Sequence, residues 1–452
     1  MFEKYFKLSD HKVTVRSEIM AGITTFVTMA YILAVNPQIL GDAGMPAGGV
    51  LIATAIASAI GCFCMAIFAN LPFALAPGMG LNAFFAYTVV LKMGYPYQIA
   101  LFAVFLEGLL FIVLSLTNVR EAIFNAIPLS LKNAISCGIG LFIAFIGLQS
   151  AKLVVASPAT LVSFSGLNKN FNTAGICALL CLIGIIIIAV LTHKKVKGAI
   201  LIGILSSWVL GMIAQAAGLY VPNIEEGFYS LYPSWSAPHF EEFSGLVGQA
   251  FKIDFSAISP LELFSITFAF LFVDIFDTVG TLAGVAAKAD MLDSQGRLPQ
   301  ARGALLADAV ATSTGAVLGT STVTTFVESS AGVEAGGRTG LTAVTTGVLF
   351  ALAMILSPIF IAIPGFATAS ALIYVGFSMF TAVVKIDLSD LTEAFPAYLA
   401  ILSMPLFYSI AEGISMGVVS FVILKLLTGK KKDISPLMAV LAFIFILRYI
   451  FM

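Results

Sequence analysis

The sequence predicts an all-α polytopic membrane protein of fourteen transmembrane segments, seven followed by an inverted seven, with short extended stretches in the third and the tenth. Three observations carry this. At 452 residues, 60% hydrophobic, 10% charged and with a mean hydropathy of +1.03, the chain has too little polar surface to cover a soluble globule. Apolar stretches of bilayer-spanning length recur from end to end, and two of them are interrupted, one by glycine and proline and one by hydroxylated residues. Lysine and arginine gather on alternate connections, which orients the array.

The basic residues Lys4, Lys7, Lys12 and Arg16 precede the first apolar run, 19–40. That run is longer than a signal-peptide core and has no small-residue cleavage site, so it reads as a retained first span. Further spans follow at 49–70, 71–91, 97–117, 129–150, 173–192 and 198–218, and then a polar-aromatic loop over 219–258. A second series lies at 261–285, 303–319, 320–337, 339–363, 366–385, 396–411 and 413–428, with a last apolar stretch at 436–452. Residues 396–428 read as two short helices turning at Glu412–Gly413, since two crossings return Lys425, Lys430, Lys431 and Lys432 to the basic side. Arg120, Lys132, Lys194, Lys195, Lys197, Lys288, Arg297 and Arg302 share that side with the N-terminus, which is therefore expected in the cytoplasm. The loop with Glu225, Glu226, Glu241 and Glu242 falls outside. Seven spans per half turn the second half upside down relative to the first.

The two interrupted spans correspond to each other under this repeat. In the third, FALAPGMGLNAFFA places Pro77, Gly78 and Gly80 inside an apolar run, with Asn82 just beyond. In the tenth, residues 319–340 read GTSTVTTFVESSAGVEAGGRTG, too polar for a lipid-facing helix. The β-branched run predicts a short extended segment over 320–327, followed by a half-helix starting near Glu328 to Ser330. Two broken spans meeting near the midplane are a mark of transporter binding sites.

Net charge of -1 and the absence of a basic patch give no reason to expect nucleic acid. Cys62, Cys64, Cys137, Cys177 and Cys181 lie in apolar segments and read as free packing residues, with no metal site expected. His11, His193 and His239 sit in loops or at ends, which removes histidine from any proton path.

Five acids remain inside spans, where a charge is costly and marks function by default: Glu107, Asp274, Asp277, Asp308 and Glu328. Asp274 and Asp277, in FLFVDIFDTVGT, are three apart and share a helix face, where two carboxyls hold a proton between them more readily than two charges. That suits a proton carrier. Glu328 at the start of a half-helix would stay ionised and accept two parallel hydrogen bonds from a planar ligand with adjacent N–H groups. Asp308, among small residues, either bonds the backbone of a broken span or reaches substrate. Glu107, flanked by bulky apolar residues, reads as structural, protonated and bonded to a neighbour. Phe26, Phe84, Phe85 and Phe326 offer faces on which a ring can stack, among 38 phenylalanines. Thr25 and Ser329 complete the candidate substrate set with Asp274, Glu328, Asn82, Phe26 and Phe326.

These residues carry a resemblance. The chain resembles the nucleobase-ascorbate transporter superfamily (nucleobase:cation symporter-2, xanthine/uracil permeases), in its azaguanine-resistance-like branch of adenine, guanine and hypoxanthine permeases. It runs nearly end to end, through GITTFVTMAYILAVNP in the first span, APGMGLNAFF at 76–85, FVDIFDTVGT at 272–281 and GTSTVTTFVESSAGVEAGGRTGL at 319–341. The resemblance implies a core domain over 1–117 and 259–363, a gate domain over 118–258 and 364–452, and proton symport as the core moves against the gate. It further implies a homodimer in the cell membrane and no cofactor beyond the coupling proton. By matching motif, Asp274, Asp277, Asp308, Glu328 and Asn82 fall where this branch keeps required polar residues.

The expected function is then proton-coupled import of purine nucleobases, not catalysis. Guanine presents N1–H and an exocyclic amine side by side to ionised Glu328, hypoxanthine keeps the N1–H, and adenine lacks that edge. Asp274 completes substrate binding, with Asp277 or Asp308 linking it to the proton. Two alternatives stand beside this one. An anion carrier of the same inverted-repeat kind sits poorly with acids facing the site. An intramembrane aspartate hydrolase lacks a dyad placed across a substrate, Asp274 and Asp277 being on one helix.

Overall fold

The computed structural model describes residues 2–116, 127–168, 170–233, 237–289, 291–293 and 298–451; Arg120, Arg297 and the expected domain boundary at 117/118 lie outside these. Helices dominate, and nine stretches among the described residues are long and apolar enough to cross a bilayer.

The first apolar run is two helices, α1 (Val15–Met29) and α2 (Ile32–Asp42), parted at Ala30 and Tyr31. The sequence predicts one span there, and Val15–Asp42 is one candidate span in which Ala30 and Tyr31 keep right-handed helical backbone angles between the two helices. The break has a cause in ITTFVTM: the hydroxyls of Thr24, Thr25 and Thr28 donate to carbonyls three or four residues back, Thr28 reaching both Thr24 O (3.1 Å) and Thr25 O (2.7 Å). Such bonds bend helices. Next come α3 (Ala47–Phe68), strand β1 (Leu75–Pro77) and α4 (Met79–Ala83), which runs on as a wider π-helix over Phe84–Lys92. Helices α5 (Tyr97–Leu116) and α6 (Leu129–Ser150), a hairpin of β2 (Val154–Ser157) and β3 (Leu161–Phe164), α7 (Ile176–His193) and α8 (Ala199–Ala216) complete the first half.

In the second half a short α9 (Phe240–Leu246) precedes α10 (Pro260–Lys288) and α11 (Ala301–Leu318). The tenth predicted span is strand β4 (Val323–Thr325) followed by the six-residue α12 (Ser329–Glu334), an extended stretch and half-helix as the β-branched run predicts. Then follow α13 (Gly340–Ala353), α14 (Gly365–Phe380), α15 (Leu391–Phe407), α16 (Ile410–Leu427) and α17 (Pro436–Phe451). Residues 391–427 are thus two helices, but they turn at Tyr408, whose φ is 53°, and not at Glu412–Gly413. Ser409 decides this by accepting a hydrogen bond from Glu412 N (3.3 Å), which starts α16 before the glycine.

Helix α3 packs on α11 and α13, α11 on α5, and α1 on α13, while α6 packs on α14 and α15, α15 on α16, and α7 on α8 and α14. Small residues allow the close approaches: a methyl group on Gly140 would stand 2.5 Å from Gly376 O.

Candidate functional site

The site is built around the crossing of β1 and β4, an antiparallel pair in the register Leu75 to Thr325, Ala76 to Thr324 and Pro77 to Val323. One further bond closes each end, Gly78 N to Thr322 O and Phe326 N to Ala74 O, both 3.0 Å. Strands this short leave backbone groups that the apolar interior must satisfy. Side chains do so. Thr312 on α11 donates to Val323 O (2.9 Å) and accepts from Val323 N (3.2 Å). Ser329 accepts from Ala74 N (2.9 Å), and the buried thiol of Cys62 faces the backbone of Leu75.

The five acids separate into two groups around this crossing. The inner group is Glu107 of α5, Asp274 of α10 and Asp308 of α11, each 0% exposed. Thr278 binds it together, its Oγ1 standing 2.9 Å from Asp274 Oδ1, 3.0 Å from Asp308 Oδ2 and 2.6 Å from Thr324 Oγ1. Thr322, just before β4, donates to Glu107 Oε2 at 2.7 Å. Glu107 in turn lies within Coulombic range of Asp274 and Asp308. Three carboxyls thus share a set of hydroxyls supplied by α10 and the tenth-span strand.

The outer group is Asp277 and Glu328, both half-buried and within Coulombic range of each other. Glu328 is the last residue before α12, but its side chain makes no capping bond. It accepts instead from Tyr31 Oη, 2.7 Å from Oε1. Asp277 faces Gly78: a methyl group there would stand 3.3 Å from Asp277 Oδ2.

The remaining predicted residues divide. Asn82 is fully buried and its Oδ1 accepts from the hydroxyl of Ser321, so the two broken spans do meet through a side chain, at Ser321 and not at Glu328. Thr25 donates to Ala21 O and abuts Gly332 of α12, where an added methyl would fall 2.0 Å from its Oγ1. Ser329 is taken up by the β1 backbone, Phe26 meets Phe350 edge-on at 5.2 Å between ring centroids, and Phe326 is 6% exposed. Of this set the carboxylates and Asn82 gather at the crossing, while Thr25, Phe26 and Ser329 hold the elements that carry them.

Three residues escape the sequence reading. Tyr31 and Thr278 touch the acids directly, and their only signal is a hydroxyl inside an apolar span. Glu18 is fully buried near the start of α1 and takes hydrogen bonds from Arg338 N (2.7 Å), Thr339 N (3.2 Å), Thr339 Oγ1 (2.9 Å), Thr342 N (3.2 Å) and Thr342 Oγ1 (2.7 Å). It thereby caps α13 and pins the far end of the α12 connection to the first span.

The model of the Permease family (Xan_ur_permease) matches residues 16–416. Among curated proteins, the guanine/hypoxanthine permease PbuO of Bacillus subtilis is 45% identical, covering 98% of this chain and 99% of its own length. The adenine permease AdeP of Escherichia coli is 42% identical over 100% of this chain and 96% of its own. Among solved structures, the transmembrane domain of the cyanobacterial bicarbonate transporter BicA superposes with a TM-score of 0.63 at 16% identity, over 89% of this chain and 97% of that one, a likeness of fold alone. With a family model across both broken spans and relatives matched along their whole length, the chain belongs to the Permease family: a multi-pass membrane carrier, not an enzyme.

Proposed function

We propose that the chain is a proton-coupled importer of purine nucleobases. The observation that carries this is the half-buried pair Asp277 and Glu328 in front of three fully buried carboxyls at the strand crossing. A carboxylate reachable from one side recognises a neutral heterocycle through its N–H groups, and it repels an anion. The relatives are named for adenine in one case and for guanine and hypoxanthine in another, which supports the purine class. Within that class the ranking rests on chemistry. Ionised Glu328 accepts N1–H and the exocyclic amine of guanine together, accepts N1–H of hypoxanthine, and meets no such edge on adenine. Asn82 and Phe326 border the same crossing.

The inner group supplies the coupling. Three carboxyls buried together hold at least one proton in place of a third charge. Asp274 lies within Coulombic range of Asp277, so a proton gained or lost inside is felt where substrate sits. In this reading Asp274 and Asp308 carry the proton, Glu107 belongs with them, and Asp277 links them to Glu328.

The carrier has fourteen spans as two inverted sevens, with its N-terminus in the cytoplasm of a cell whose outer boundary it crosses. The mutual packing of α1, α3, α5, α11 and α13, and separately of α6, α7, α14, α15 and α16, supports a core (1–117, 259–363) moving against a gate (118–258, 364–452) in a homodimer. Lys92 Nζ donates to Phe407 O (2.6 Å) and Thr88 to Tyr408 O (3.4 Å), so the end of the third span away from the crossing is fastened to the α15–α16 turn. Transport in this scheme releases that fastening.

The test is uptake of labelled guanine, hypoxanthine, adenine and uracil into proteoliposomes under an inward proton gradient, with and without a protonophore. Guanine and hypoxanthine should accumulate and the protonophore should abolish accumulation. Glu328→Gln keeps the shape and removes the charge, and guanine uptake should fall by about a hundredfold, the scale of two charge-assisted hydrogen bonds lost. Near-normal uptake in that variant would remove Glu328 from the mechanism, and accumulation of adenine alone would overturn the donor-edge ranking.

A further inference from the structure

The carboxylate proposed to hold substrate is itself held by a tyrosine at a helix break. Tyr31 lies between α1 and α2, 1% exposed, and its hydroxyl donates to Glu328 Oε1 at 2.7 Å across 297 residues of sequence. Ala30 and Tyr31 both keep right-handed helical backbone angles, so the phenol reaches Glu328 from within the Val15–Asp42 span. The carboxylate has about four lone-pair directions, so the phenol takes one and leaves room for a bidentate ligand.

We infer that Tyr31 is the positioning residue for Glu328, setting the plane of its carboxylate and its readiness to ionise, and so the pH range in which a purine is recognised. This rests on the purine reading above for its substrate, but not for the contact. A hydroxyl that donates to a carboxylate favours the charged form, and the same oxygen can accept from the acid once it is protonated. Tyr31 therefore gives Glu328 a partner in both states. The other groups acting on Glu328 are Asp277 from α10 and the backbone N–H of Glu328 itself, with Asp274 behind Asp277. Among the described residues Tyr31 is the one neutral side chain that donates to Glu328, so its removal is separable from the acids. Asp277 lies within Coulombic range of the Tyr31 phenol as well.

Tyr31→Phe keeps the ring and deletes the donor. Two readouts on the full chain in lipid separate the possibilities. The first is infrared titration of the Glu328 carboxyl in the substrate-free protein, its band assigned by loss in Glu328→Gln; in Tyr31→Phe the midpoint should move to higher pH by about one unit. The second is guanine binding, which should weaken about tenfold, with the acid limb of its pH profile moved the same way and the saturated uptake rate changed far less. In the Glu328→Gln background Tyr31→Phe should add nothing to the loss. Should Tyr31→Phe fold poorly, ring-fluorinated tyrosine at position 31 is nearly isosteric and a stronger donor, and the carboxyl midpoint should move to lower pH. An unmoved carboxyl midpoint in either variant overturns the inference, as does an additive loss in the double variant. A shifted midpoint in a protein that binds no purine keeps the Tyr31–Glu328 unit and removes the purine reading instead.

Discussion

The two strands that cross at the centre have the same backbone and opposite chemistry. Each is three residues long, and each is closed by a bond from the residue after it to the residue before its partner, Gly78 to Thr322 and Phe326 to Ala74. The first is apolar, Leu75, Ala76 and Pro77, and passes through Gly78 directly into α4 and a long π-helix. The second is Val323, Thr324 and Thr325, and three residues, Phe326, Val327 and Glu328, intervene before the six-residue α12. The polar strand brings Thr322 to Glu107 and Thr324 to Thr278, and delivers Glu328 to the open side. The apolar strand supplies little but backbone and room. One strand of the pair carries chemistry because the other gives up its side chains.

That division can be broken from the apolar side. A methyl group at Gly78 would lie 2.5 Å from Thr324 Cγ2 as well as 3.3 Å from Asp277 Oδ2, and neither a paired strand nor a packed helix yields easily. Gly78→Ala should cost about 1–3 kcal/mol and abolish purine uptake while Glu328 and Asp277 remain in place. Melting temperature and proteoliposome uptake measure the two effects, and a freely transporting Gly78→Ala would show that the close spacing is dispensable. A smaller effect is expected at the fastening between the halves. Ser329→Ala strands the N–H of Ala74 without its acceptor, costing about 1–2 kcal/mol, with guanine affinity reduced a few fold and, under the proposed symport, the protonophore response unchanged. Equal loss of coupling and affinity would assign Ser329 to the polar group after all.

The smallest effect should come from a charge outside both strands. Asp390 begins α15, and a hydrogen bond from Lys430 Nζ (2.7 Å), aided by the hydroxyl and N–H of Thr392, holds its carboxyl well below the usual carboxylate range. A depressed folded value means the stabilisation is present above the unfolded value, near 3.9, and fades as pH falls through the folded one. Asp390→Asn retains a capping residue, so a slight drop in melting temperature at neutral pH should vanish in acid, with uptake unchanged. A pH-independent drop would point to the cap and not the charge.

Much of this arrangement is legible in the chain because bilayers penalise polarity so heavily. Glu107, Asp274, Asp277, Asp308 and Glu328 stand out from their apolar neighbours, and all five lie at the crossing. The extended stretch before Glu328 is legible for the same reason, with its β-branched run. What is not legible depends on partners far away. Glu107 reads as a structural acid, protonated and bonded to an unnamed neighbour, until α5 is seen beside α10 and α11, where it joins Asp274 and Asp308. Tyr31 and Thr278 are ordinary residues in a span, and nothing local says which way they face. Glu18, two residues after Arg16, stands in the charged flank before the first apolar run, and its burial follows from residues 338–342. The turn at Tyr408 went to the serine cap because a capped helix start outweighs a glycine that α16 tolerates within its first turn.

The crossing also has a history in time. Ser329 lies 255 residues after Ala74, whose N–H it satisfies, and Glu18 waits still longer for Thr339 and Thr342, 321 and 324 residues downstream. At about 5–20 residues per second, ribosomes leave β1 without its partner for roughly 13–50 s. Throughout that interval a three-residue strand and a carboxylate lie at or near the bilayer with their bonds unmade, a state lipid cannot satisfy. The nascent first half must therefore be kept beside water or beside the insertion machinery until β4 emerges, and truncation before residue 323 should yield a chain marked for degradation, not half a transporter.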